Sequence, residues 1–214
     1  MGQNDRGQPI RVMIADDHPP MRMGLIALID SQPGMTVIAE AANGEEAIKV
    51  YEDTKPDVTL MDLRMPGMGG ADAILAIRKL DPDARIIVLS TYDWDEDIYR
   101  AIQSGAASYL LKDMPIEEIN ETIRMVVEGD ALLPKIVAKR LAERSTRDPI
   151  TERERDVLEA LVKGRSNREI ASSLSISEET VKSHFKTLFL KLRVRDRTEA
   201  AIAAIRHGIV HLDE

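Results

Sequence analysis

Between Ile10 and about Gly129, short runs of β-branched and other apolar residues alternate with stretches whose apolar positions recur every three to four residues. The runs are Ile10–Ala15, Thr36–Ala39, Asp57–Met61, Arg85–Leu89 and Ser108–Leu111. Pro33-Gly34, Pro56, Pro66-Gly67, Pro82 and Gly105 punctuate the helical stretches between them. Strand–helix repeats of this size predict an α/β unit with a five-stranded parallel sheet covered on both faces by helices. The near-continuous apolar character of the strands agrees with burial on both faces. After Gly129 the pattern changes. Pro134–Arg144 reads as a helix with Pro at its start, and Ser145–Pro149 as a polar linker. From Thr151 onward the spacing is helical throughout. Thr151 and Glu154 form a capping-box signature, with Val157, Leu158, Leu161 and Val162 as a stripe ending at Gly164. Asn167 opens a short helix to Leu174, and Ser175-Ile176-Ser177 makes a tight turn. Ser177 then caps a longer helix carrying Val181, Phe185, Leu188 and Leu192, and a last helix spans about Thr198 to His207. The predicted division is an α/β domain over 9–130, a linker helix and linker over 131–148, and a smaller all-α domain over 149–214.

Composition narrows the chemistry. The 214 residues contain no cysteine, which excludes disulfides, thiolate nucleophiles and Cys-ligated metals and suits a reducing compartment. Charges interrupt every hydrophobic run well before membrane-spanning length, so no membrane partner is expected. The polar first residues lack a signal-peptide core, which predicts a cytoplasmic protein. The net charge of −8 is unevenly spread: residues 1–147 hold 17 Lys and Arg against 25 Asp and Glu, while residues 148–214 hold 12 of each. Within Arg165–Arg206 nine cations face five anions, so overall acidity does not argue against a nucleic-acid partner.

Ligands of open parallel sheets bind beyond the carboxyl ends of the strands. There the chain places Asp16 and Asp17 after the first strand, Asp62 after the third, Ser90 after the fourth and Lys112 after the fifth. Three converging carboxylates repel one another unless a cation joins them. A hard divalent ion such as Mg2+ is the natural occupant. Lys112 can counter charge on a phosphoryl group, Ser90 can donate a hydroxyl to a phosphoryl oxygen, and Asp62 is a suitable acceptor for an aspartyl-phosphate.

The strings Asp16-Asp-His-Pro19, Met61-Asp-Leu-Arg-Met-Pro-Gly-Met68 and Gly105-Ala-Ala-Ser-Tyr-Leu-Leu-Lys-Asp113 resemble a response-regulator receiver domain over about Arg11 to Gly129. The resemblance implies a flavodoxin-like sheet, phosphorylation of Asp62, and magnesium held by Asp16, Asp17, Asp62 and the backbone carbonyl of Arg64. It implies phosphate contact by Lys112 and an aromatic switch at Tyr109. Ser90 and Thr91 compete for the hydroxyl switch; the family's spacing, 28 residues past the acceptor and 22 before the lysine, selects Ser90. Gly69 departs from the family's usual Asp or Asn and predicts a weaker cap on the next helix, while Pro20 and Met23 replace more usual residues near the acid pair. His18 reads as a loop residue.

The turn from Asn167 through Ser177 into Val181 reads as helix-turn-helix, which places its second helix in the major groove. Thr151–Leu158, Ser166–Ala171, Ile176–His184 and Lys191-Leu192 resemble the LuxR-type DNA-binding domain over Pro149 to His211. The resemblance implies base reading by Lys182, Ser183 and Lys186, and Arg168, Lys191, Arg193 and Arg195 stand near for phosphates. Arg193 replaces a frequent Gly or Asn at the helix end, a cost if that backbone is left-handed. Together the halves resemble a NarL/FixJ-type response regulator. The implied function is phosphorylation-controlled binding of double-stranded promoter DNA, with a sensor histidine kinase as phosphodonor and a homodimer as the phosphorylated form. Two alternatives differ in class. One is a phosphorylation-independent transcription factor, against which the intact acid set counts. The other is a magnesium-dependent phosphohydrolase of the Asp-x-Asp kind, against which Asp62-Leu63-Arg64 counts, so no enzyme is expected.

Overall fold

The computed structural model describes residues 8–130, 133–145 and 147–211. Its elements are β1 (Ile10–Ala15), α1 (Pro19–Asp30), β2 (Met35–Ala41), α2 (Gly44–Thr54), β3 (Val58–Met61), α3 (Gly70–Leu80), β4 (Ile86–Ser90), α4 (Asp95–Gln103), β5 (Ser108–Leu111) and α5 (Ile116–Glu128). There follow α6 (Lys135–Ser145), α7 (Glu152–Val162), α8 (Asn167–Leu174), α9 (Glu178–Leu192) and α10 (Arg197–Arg206). By internal contacts the chain forms two compact units: residues up to Asp93 with Ile98–Ala138, and Trp94–Asp97 with the chain from Lys139 onward. No described helix is long and apolar enough to cross a membrane.

In the first unit the strands form one parallel sheet in the order β2-β1-β3-β4-β5. Alternate strand residues point to opposite faces. Val12, Ile14, Leu60 and Leu89 meet Leu25, Ile29, Ile119 and Ile123 of α1 and α5 in one core. The intervening Met13, Ala15, Met61 and Val88 are also buried, so the sheet is covered on both faces. Strand ends differ slightly from the sequence expectation. β2 continues through Glu40 to Ala41, because Ile14 pairs with Glu40 and Ala15 with Ala41 whatever the side-chain polarity. β4 reaches Ser90, which pairs with Leu111. The strand order reverses at β1, with β2 on one side and β3 on the other, which leaves a crevice beyond their carboxyl ends.

In the second unit Val157, Leu158, Leu161, Ile170, Val181, Phe185, Leu188 and Leu192 close one apolar core with Ala200 and Ala204 of α10. The expected capping box of Thr151 and Glu154 starts α7. A second one, Ser166 with Glu169, starts α8, which runs from Asn167 to Leu174 as expected. Ser177 caps α9 by accepting the Thr180 N–H, and Asp196 caps α10 by accepting from Thr198 and Glu199. Arg193 ends α9 in the left-handed region, φ 55° and ψ 44°, the conformation that Gly or Asn adopts at lower cost.

Candidate functional site

Asp16 follows β1 because its N–H continues the ladder onto the Ala41 carbonyl; Asp62 follows β3 in the same way, bonding to the Ala15 carbonyl at 2.8 Å. Lys112 follows β5, its N–H on the Ser90 carbonyl at 2.8 Å. Backbone pairing alone therefore draws Asp16, Asp62, Ser90 and Lys112 to one end of the sheet. The Lys112 ammonium lies 2.8 Å from Asp16 Oδ2 and 2.6 Å from Asp62 Oδ2. All three side chains are nearly inaccessible, between 2% and 8% exposed. Asp17 is exposed, and one oxygen each from Asp16, Asp17 and Asp62 falls within 4.8 Å of the others. That donor set, hard and anionic, fits a divalent cation of the magnesium kind.

The remaining bonds orient the acids. Asp16 Oδ1 accepts the His18 N–H at 2.8 Å, and Asp62 Oδ1 accepts the Arg64 N–H at 3.3 Å. Burial pushes the Asp62 carboxyl above its ordinary range, against the opposing pull of the Lys112 hydrogen bond. Burial also disfavours the Lys112 cation, but its bonds to Asp16 and Asp62 outweigh that and the net direction is upward. Ser90, buried, accepts the Tyr92 N–H at 3.3 Å through its Oγ. Tyr109 is fully buried, and its hydroxyl donates to the Tyr92 carbonyl at 2.7 Å. The predicted residues Asp16, Asp17, Asp62, Ser90 and Lys112 thus meet at one end of the sheet, with Tyr109 tied to the loop after β4.

Three contributors have no signal in the periodicity. A Cβ on Gly70 would lie 2.0 Å from the Asp62 carbonyl oxygen, so only glycine lets the start of α3 back so closely onto the acceptor's main chain. The adjacent Gly69-Gly70 pair was the available clue; Gly69 caps α3 without a side-chain bond, as expected. The Arg64 guanidinium stacks over the Tyr92 ring, 4.0 Å from its centroid. Neither side chain carries a pattern that joins them.

On α9 the buried stripe Val181, Phe185, Leu188 and Leu192 leaves Lys182, Ser183 and Lys186 exposed, and Arg168 is exposed on α8. Lys182, Lys186, Arg195 and Arg197 line a recess together with Phe185 and Phe189. Lys191 goes elsewhere. Its ammonium lies 2.7 Å from Glu154 and 2.8 Å from the Pro149 carbonyl. Glu154 is 6% exposed and belongs to the α7 capping box; the Lys191 and Thr151 bonds hold its carboxyl below the usual range despite burial, which acts the other way. Nothing in the cation pattern distinguished Lys191 from its neighbours, because its partner lies 37 residues away.

Residues 12–124 match the response regulator receiver domain, and residues 148–204 match the luxR family of bacterial regulatory proteins. Fold, site and both matches define one class. The chain belongs to the response regulators that join a receiver domain to a LuxR-type DNA-binding domain, a family of transcriptional regulators and not of enzymes. It is 44% identical over 201 residues to the nitrate/nitrite response regulator protein NarP of Escherichia coli K12, covering 91% of this chain and 94% of that one. It also resembles the crystal structure of ChrA, a response regulator of a heme-sensing two-component system, at 37% identity and a TM-score of 0.58, covering 94% of this chain and 99% of that one. RcsB of Salmonella enterica serovar Typhimurium, solved on a promoter, shares the fold at 23% identity and a TM-score of 0.69, covering 92% of this chain and 98% of that one.

Proposed function

We propose that Asp62 accepts a phosphoryl group from a sensor histidine kinase and that this controls binding of promoter DNA by α9. The observation that carries the reading is the Lys112 ammonium held between Asp16 and Asp62 at 2.8 and 2.6 Å, with Asp17 alongside. An Asp62 oxygen attacks phosphorus, an O–P bond forms, the donor's N–P bond breaks, and the imidazole leaves. Asp16, Asp17, Asp62 and the Arg64 carbonyl are the residues that would hold magnesium, which when bound neutralises phosphoryl charge. Lys112 exchanges its carboxylate partners for a phosphoryl oxygen. Ser90 turns its hydroxyl from the Tyr92 N–H to another, and Tyr109 follows because its hydroxyl grips the Tyr92 carbonyl. A homodimer forms with this change and binds DNA in the cytoplasm. Lys182, Ser183 and Lys186 face base edges there, and Arg168 meets phosphates. Lys191 supports the start of α7 from the inside.

The test is labelling with acetyl phosphate and Mg2+, followed by intact mass and gel-filtration mass. Wild type gains one phosphoryl group and doubles in mass, while Asp62→Asn does neither. Equal labelling of Asp62→Asn would sink the acceptor assignment.

A further inference from the structure

Of the three carboxylates at the strand ends, two are held in place by side-chain bonds and one is not. Asp16 and Asp62 are buried, share Lys112 and accept main-chain N–H groups from His18 and Arg64. Asp17 is exposed, and among the described residues no hydrogen bond or ion pair holds its carboxylate. Its direction is therefore set by its own backbone, which starts at the Asp16–Asp17 peptide. The Asp16 N–H is fixed to β2 through the Ala41 carbonyl at 3.1 Å. The Asp16 carbonyl, beyond the ladder, accepts instead from Arg22 Nη1 at 2.7 Å. A peptide unit is planar, so a held carbonyl oxygen also fixes where the Asp17 backbone begins.

Arg22 can reach that oxygen because it sits in the first turn of α1, where its N–H meets the His18 carbonyl at 3.0 Å, and long helical side chains lean toward the N-terminus. The guanidinium is oriented in turn. Its Nε donates to Glu40 Oε2 at 2.7 Å, and Glu40 stands on β2 opposite Ile14. With Arg22 17% and Glu40 55% exposed, such a pair adds little stability by itself. What it supplies is direction, since the donors of one rigid fork address β2 and the peptide between the two acids together.

We infer that Arg22, oriented by Glu40, is a positioning residue for Asp17: it fixes the Asp16–Asp17 peptide and so presents the exposed carboxylate to a divalent cation, on the reading above that Asp16, Asp17 and Asp62 are the ligands. Arg22 also brings positive charge toward a cation site, which by itself weakens metal binding. Positioning and charge thus move Mg2+ affinity in opposite directions, and the sign of the change on removing the side chain separates them.

The experiment follows thermal melting of the full-length protein across a Mg2+ series, because a ligand of the native state raises the midpoint according to its concentration over Kd. It compares wild type, Arg22→Ala, Arg22→Lys, Asp17→Ala and the double variant Arg22→Ala/Asp17→Ala. Melting without metal reads the lost link between α1 and β2; the rise with Mg2+ reads affinity. Arg22→Ala should weaken Mg2+ binding about tenfold, the low end for a group that holds a ligand in place. Arg22→Lys restores one donor without the fork and should recover part of that loss. In the Asp17→Ala background Arg22→Ala should change affinity by less than about twofold, because the carboxylate it positions is gone. Unchanged or tighter Mg2+ binding in Arg22→Ala, whatever its metal-free melting, would overturn the positioning role, as would an equal loss in the Asp17→Ala background. Wild-type Mg2+ affinity in Asp17→Ala, where Arg22 is intact, would instead overturn the metal assignment itself, and the positioning role with it.

Discussion

At the strand ends of the first unit, Lys112 is 7% exposed and sits between two carboxylates; on α9 of the second, Lys182 is 60% exposed and meets Glu179 at 3.4 Å. The first cation is locked into the fold, where desolvation makes each partner costly to remove. The second contributes almost nothing to the fold and is available to a polyanion, with an energy that salt controls. In the proposed reading, one protein keeps charge for switching under cover and charge for recognition in the open. Lys191 shows that position on the basic helix does not decide which kind a lysine is, for it is 18% exposed and belongs with the buried kind.

Substitutions test this contrast most sharply where charge is most buried. Lys112→Met leaves Asp16 and Asp62 facing each other without a cation and should cost about 3–5 kcal/mol of stability at neutral pH in metal-free buffer. Chemical denaturation checks it. Because the Asp62 carboxyl is already raised by burial, protonation relieves the variant, so its deficit should shrink as pH falls; adding Mg2+ should shrink it as well.

Glu154→Gln should cost about 1–3 kcal/mol, since it removes the carboxylate partner of the half-buried Lys191 while Gln can still close the capping box. The wild-type carboxyl lies below its ordinary value of 4.5. Its contribution is therefore complete above that pH and is lost as pH falls through the folded value, where wild type and variant should converge. Parallel curves across that range would mean the ion pair adds nothing.

Lys182→Ala and Lys186→Ala should leave melting within about 0.5 kcal/mol of wild type. Each should weaken operator binding by about 1–3 kcal/mol if it contacts a base. Titration at one fixed salt concentration measures this, and unchanged affinity in both would place the DNA on another face. The smallest effect belongs to the end of α9. Arg193→Gly should stabilise the second unit by up to about 1 kcal/mol through relief of the left-handed backbone, offset in part by the freedom glycine gains when unfolded.

The contrast also explains what was legible in the sequence. Asp16, Asp62, Ser90 and Lys112 stood out because each is a polar residue ending an apolar run, and parallel pairing then brings all such ends together. Lys182 and Lys186 stood out because they leave the apolar stripe of a helix. What could not be read depends on closures between distant segments. Glu154 reads only as the capping-box partner of Thr151 until Lys191 arrives from α9. Gly70 looks like a loop glycine until α3 docks against the Asp62 carbonyl, and Arg64 meets Tyr92 only after two loops converge.

The strand order has a consequence for assembly on the ribosome. Among the described residues β1 is the first strand to be made, yet it lies inside the sheet and pairs on both edges, with β2 and with β3. Its second edge stays open until Val58–Met61 has left the exit tunnel, and β5 closes the sheet only near Leu111. The second unit begins α7 and α8 from capping boxes four residues long, with every signal close in sequence. Local contacts form faster than distant ones. Synthesis thus gives the slow-closing unit the earlier start, and it can finish its sheet while the quick one is still being translated.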